Sequence, residues 1–238
     1  MVGSARVVEC VLVPDGLVAE GLEGPALRTP RSGALAGIAF SVLASASLVT
    51  IHFAIPHHPA DSAVDSSPKR ELLLIGLSLL PFAAVAFLWF TGVVRDRIGQ
   101  REDRFFGTVF LGSGLLFVGI LLVGEAVASG MVASVDSTTD TFSVAPPDWW
   151  VATRNISGEL IEAALQMAGV FLTATTTLLW RLGQAPRWLT LSGSVIAVLL
   201  LFSVYVTQWI GLLFPLWIFV LSVYILVAAR RPETVNLI

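Results

Sequence analysis

Glu159, Glu162 and Gln166 stand in a run, Asn155 to Thr177, that is otherwise built largely of apolar residues. Together with Asn155, Gly169, Thr173, Thr176 and Thr177 they recur every three or four residues, so on a helix they share an arc of about 100°. At 1.5 Å rise per residue the stripe is about 33 Å long, close to the thickness of a bilayer's hydrocarbon core. An ionised side chain near the centre of a membrane costs about 2.5 to 3.5 kcal/mol on insertion scales, so such groups persist with a partner or a role. Two kinds of chemistry suit these residue types. Carboxyls at membrane depth can take up protons or cations, and hydroxyls and amides can bind helices to one another.

Glu125 and His52 belong to the same set of candidates. Glu125 falls near the end of a second apolar run, at a depth matching that of Glu162 when the two helices run in opposite directions. His52 closes the first apolar run on the face that carries Ser41 and Ser45. Convergence of these faces would give an outward-opening polar pocket with Glu125, Glu159, Glu162 and His52 at its mouth. Ser192, Ser203 and Thr207 would add a further polar line. The bland alternative assigns Glu159 to a first helical turn, where it complements the amide dipoles. On that view the rest of the stripe is interhelical glue, with Glu162 and Glu125 as the exceptions.

These residues must be held by membrane helices. Of 238 residues 55% are hydrophobic and 13% charged, about half the charged share of an ordinary soluble domain. The net charge of −3 leaves no basic surface for nucleic acid. The single cysteine, Cys10, excludes a disulfide within the chain and a cysteine-held metal cluster.

The expected architecture is all-α: a polytopic transmembrane bundle of six spans at about 32–55, 72–94, 105–130, 156–180, 187–207 and 210–229. An N-terminal cytoplasmic tail, 1–31, is expected to be poorly ordered, and 232–238 form a short C-terminal tail. The 42 apolar residues from Trp188 to Ala229 would make a helix of about 63 Å, twice a bilayer, so a turn is expected at Thr207-Gln208-Trp209. In the third span Gly107 and Gly114 share one face and Gly112 and Gly119 another, which suits a helix approached closely from two sides. The polar face of the fourth span is expected to turn inward, and Trp149 and Trp150 before it read as an interfacial anchor.

With six spans, one side of the membrane receives Arg6, Arg28, Arg31, Arg95, Arg97, Arg101, Arg104, Arg181, Arg187, Arg230 and Arg231. The other receives Lys69, Arg70 and Arg154. Eleven against three places both termini in the cytoplasm under the positive-inside rule, in a bacterial cell membrane.

Other motifs add little chemistry. His57, His58, Asp61 and Asp65 have ligand-type side chains but no metal-site spacing, and read as a solvated loop. The charged hairpin Arg95 to Arg104 reads as topology-setting charge. Asn155-Ile156-Ser157 fits a glycosylation sequon but lies against the membrane. Phosphate loops, nucleophile elbows, zinc-protease motifs and intramembrane aspartates are all missing from the sequence, so neither an enzyme nor a cofactor is expected.

One set of segments resembles a known group. Phe87-Leu88-Trp89-Phe90, Val94-Arg95-Asp96-Arg97, Arg101-Glu102-Asp103-Arg104 and Val109-Phe110-Leu111-Gly112-Ser113-Gly114 are followed by Pro186-Arg187-Trp188-Leu189 and Phe214-Pro215-Leu216-Trp217. Over about Arg31 to Arg231 this is similar to uncharacterised bacterial membrane proteins of six or seven helices. The resemblance implies architecture and no activity.

Two functional readings follow. The first is a non-enzymatic accessory or interaction protein, partnered by the lipid bilayer and by another membrane protein or a second copy. The second is a small proton- or cation-coupled transporter or ion pathway using Glu125 and Glu162, with His52.

Overall fold

The computed structural model of the protein describes residues 30–54, 67–98, 104–134, 148–183, 185–202 and 208–228. Every regular element among them is helical: α1 Pro30–Ala54, α2 Ser67–Ile98, α3 Arg104–Ser134, α4 Asp148–Arg181, α5 Arg187–Leu201, a 3-10 turn Gln208–Leu212, and α6 Leu213–Ala228. Bilayer chemistry favours this outcome, because a helix satisfies its own amides and carbonyls where no water is present to do so. Five stretches are long and apolar enough to cross a membrane: Ser32–Phe53, Arg70–Arg95, Phe105–Ala133, Asp148–Arg181 and Trp209–Ala228.

The expected fifth span is the exception. α5 has 15 residues, about 22 Å, against a hydrocarbon core of about 30 Å. It stops at Phe202, whose backbone N–H donates to Val198 O at 3.1 Å, six residues before Gln208 begins the next described element. Gln208 and Trp209 open a five-residue 3-10 turn that leads into α6, and Thr207, the third residue of the expected turn, lies outside the described residues. Of the polar line expected on this span, Ser203 and Thr207 lie outside the described residues. Ser192 donates to its own helix at Leu189 O, 3.0 Å away.

The helices pack as a ring in which α6, α1, α2, α3, α4 and α5 follow one another, with lighter contact between α5 and α6. Its centre is aromatic. Phe87 of α2 lies 4.9 Å from Phe40 of α1, 5.1 Å from Phe117 of α3, 5.0 Å from Phe171 of α4 and 5.8 Å from Phe214 of α6. All five rings are nearly or wholly buried. Because lipid tails are as apolar as any core, such contacts hold the bundle by close packing and ring geometry more than by escape from water.

Close approach elsewhere rests on small residues. A Cβ at Gly37 would strike Ser222 of α6 and come within 2.7 Å of the Phe90 ring. Ser47 of α1 donates to Gly76 O of α2 at 2.7 Å. α3 packs between α2 and α4 through one of its glycine faces: Gly114 lies against Phe171 and Phe87, whereas a Cβ at Gly112 or Gly119 would meet nothing within 4 Å. The expectation of two packed glycine faces is corrected accordingly. The tail 1–29, the histidine loop 55–66, the hairpin tip 99–103 and the C-terminal tail lie outside the described residues.

Candidate functional site

α4 begins at Asp148, eight residues before the apolar boundary at Ile156, which moves every residue of the stripe deeper into its helix. Asp148 itself occupies the first turn, where a carboxylate suits the exposed amides. Glu159 is then about 17 Å along the axis, three turns in, and cannot serve the helix start as expected. Trp149 and Trp150 sit in the first turn, not in a loop, and Arg154 lies over the Trp150 ring at 5.7 Å. The other end is set by Gly183, whose φ of 62° is a conformation that favours glycine. With Leu182 N–H on Leu178 O at 3.0 Å and Pro186 before α5, it turns the chain back against α4.

The polar face of α4 does not point into the bundle. Its buried residues include Ala164, Ala168, Phe171, Thr175 and Leu178, which centre about 180° from the line through Asn155, Gln166 and Thr173. Asn155, Glu159 and Thr173 are exposed, and Glu162, Gln166 and Thr177 are half-buried. Only the Gly169 and Thr176 flank is covered. A Cβ on Gly169 would lie 3.0 Å from Ala197 O of α5, and Ser194 donates to Thr176 Oγ1 at 3.4 Å. The inward orientation expected from the sequence thus holds at Gly169 and Thr176 and fails at Asn155, Glu159 and Thr173.

The threonines supply their own partners. Thr173 donates to Gly169 O at 2.9 Å and Thr177 to Thr173 O at 2.8 Å, the back-bonding by which hydroxyls live in a membrane helix. Asn155, Glu159, Glu162 and Gln166 are too far from a carbonyl of their own helix turn or carry the wrong group. None of their side chains makes a hydrogen bond or ion pair among the described residues.

The other candidates have partners of their own. Glu125 accepts a hydrogen bond from Ser129 at 2.7 Å on its own helix. Its neighbour Gly124 is the residue that meets α4, accepting from Ser157 at 3.3 Å, and Glu125 stands about 100° further round α3. Glu162 likewise stands about 100° beyond Ile161, which contacts Gly124. Because α3 and α4 run antiparallel, these equal turns from facing residues set both carboxyls on the same flank of the α3–α4 contact. His52 packs its ring on Trp209, centroids 4.5 Å apart. Among the described residues no three of the histidines, cysteine, aspartates and glutamates come together as a set able to hold a metal ion.

No family model, no curated protein and no solved structure matches the chain. What the α4 face can do must therefore follow from its side chains. Two carboxylates and two amides, exposed or half-buried along one face of an apolar helix and unpaired among the described residues, can accept and donate hydrogen bonds to whatever lies beside that helix. The Trp209 contact was missed in the sequence because its partner, His52, is 157 residues away. The burial of Ser157 is not legible in the sequence either, because its partner, Gly124 O, is a backbone group 33 residues away.

Proposed function

We propose that this is a non-enzymatic integral membrane protein that acts by docking, with the polar face of α4 as its contact for another membrane helix. The single observation that carries this reading is the placement of the stripe. Asn155, Glu159 and Thr173 are exposed on the outside of α4 with Glu162 and Gln166 half-buried beside them, while the centre of the ring is filled by phenylalanine. An amide or carboxyl facing acyl chains is costly, and a neighbouring helix removes that cost by hydrogen bonding. A central ion route would need polar groups where the Phe87 cluster stands.

The architecture we infer has six crossings with both ends of the bundle on the cytoplasmic side of a bacterial cell membrane. Support comes from the eleven-to-three arginine and lysine asymmetry. The likeness to bacterial multi-pass proteins noted above agrees with it. Purification in mild detergent tests the docking role. A membrane protein should co-purify in fixed ratio with the wild-type chain and be lost from the Glu162→Leu, Gln166→Leu double variant. Equal recovery with both forms, or none with either, would sink the reading.

One observation favours the transport alternative. α5 ends at Leu201, whose Cγ would lie 3.0 Å from a Cβ on Gly169, so a helix C-terminus, the negative end of its dipole, falls one turn from Gln166 and within the span of α4. If that end is an ion site, proteoliposomes should show a pH-dependent flux that Glu162→Gln abolishes and Thr177→Ala leaves intact.

A further inference from the structure

The docking role proposed above leaves the occupant open, and the charges on α4 narrow it. Glu159 and Glu162 are a turn apart on the open face, and neither pairs with a cation among the described residues. The basic side chains of the same helix are turned elsewhere. Arg154 lies over Trp150 at 5.7 Å, and Arg181 over Phe106 of α3 at 4.5 Å. A second copy laid along the same face would set Glu159 and Glu162 against their own counterparts, and like charges opposed at an interface are costly. It would also bring together the acidic ends of two chains, where Asp136, Asp140 and Asp148 stand against Arg154 alone in the residues leading into and opening α4.

We infer that the face is occupied by a helix of a different membrane protein carrying a basic side chain, set level with Glu162. A lysine or arginine there would satisfy the carboxylates, and Gln166 one turn deeper, with donors and an acceptor of its own, would fix the depth of contact. Below Gln166 the self-bonded Thr173 and Thr177 ask nothing of the partner but shape. This inference rests on the docking reading and adds the charge of the occupant.

The test uses the full-length chain in neutral phosphatidylcholine nanodiscs with synthetic single-span helices of leucine and alanine. One probe carries a lysine two turns from its end, a second carries asparagine there, and a third carries leucine. Energy transfer between labelled chain and probe reports association. The lysine probe should bind about tenfold more tightly than the leucine probe, the gain expected of one good polar contact between helices. Glu159→Gln with Glu162→Gln should erase that difference, and Thr173→Val should not. If asparagine and lysine probes bind alike and the double variant is unaffected, the basic occupant is wrong while docking through the face survives. Energy transfer between two copies of the chain, lost in Gln166→Leu, would overturn the inference in favour of self-association. Equal binding of all three probes would overturn it together with the docking reading.

Discussion

Gly193 has no room for a methyl group. A Cβ there would lie 2.5 Å from Thr176 Cγ2 and 2.7 Å from two atoms of the Trp217 ring. That ring is pinned, because its Nε1–H donates to Leu189 O at 3.2 Å. Gly193→Ala should therefore lower the melting temperature in detergent by an amount matching about 1 to 3 kcal/mol, the usual cost of overpacking. Gly119→Ala, with open space around it, should leave the temperature unchanged or raise it, since alanine is the better helix former by about 1 kcal/mol. An equal loss at both positions would contradict the packing described. Ser222 gives a different expectation. Its hydroxyl is fully buried and has no hydrogen-bond partner among the described residues, a cost of about 1 to 3 kcal/mol that Ser222→Ala would remove. Melting of that variant at or above the wild-type temperature is expected, and a clear drop would mean that the hydroxyl has a partner. In sequence Gly193 and Gly119 look alike, each a glycine in an apolar run, and only the neighbour in space separates them.

At the scale of the helix, α4 shows what periodicity conveys and what it does not. That polar residues share one face follows from their spacing. The direction of that face does not, because an inward stripe and an outward stripe have the same period. In a soluble protein apolar residues mark the inside, but in lipid Phe171 within the bundle and Trp180, 71% exposed, are equally acceptable. Element ends were hidden for a related reason. Hydropathy locates where a segment enters the membrane, and α4 continues as a helix for two further turns, with Asp148 after Pro146-Pro147 as the start signal. Within 188–229 the uniform apolarity could not show that α5 stops at Leu201. The placement of α4's start can be checked: Asp148→Ala should loosen the first turn by about 0.3 to 1 kcal/mol. The measurement is amide hydrogen exchange, which should quicken over 149–152 in Asp148→Ala and stay as in wild type in Glu159→Gln. Faster exchange in the Glu159 variant would return that residue to the helix start.

For the molecule as a whole, five helices meet at Phe87, and α5 contributes no ring to the cluster. Phe87→Ala should cost about 3 to 5 kcal/mol and lower melting of the bundle as one transition; a change limited to α2 would mean that the ring is not a common core. The peripheral place of α5 bears on the number of crossings. A helix of 15 residues spans only part of the hydrocarbon, so α5 must be completed by the chain at 202–207 if six crossings are made. With six, the segments at Gln100, Gln184 and Asn236 lie in the cytoplasm, and those at Asp140 and Val206 lie outside. With five, α6 alone returns across the membrane after Gln184, and Asn236 moves to the outside. Single cysteines at these positions, in a Cys10→Ser background, decide the matter by labelling intact cells with a membrane-impermeant maleimide. Asp140→Cys and Val206→Cys should react, while Gln100→Cys, Gln184→Cys and Asn236→Cys should react only after the membrane is opened. Reaction at Asn236→Cys in intact cells would reduce the crossings to five. Reaction at Gln100→Cys with protection at Asp140→Cys would invert the bundle against its arginines, setting the Glu159 end of α4, and the partner inferred for it, on the cytoplasmic side.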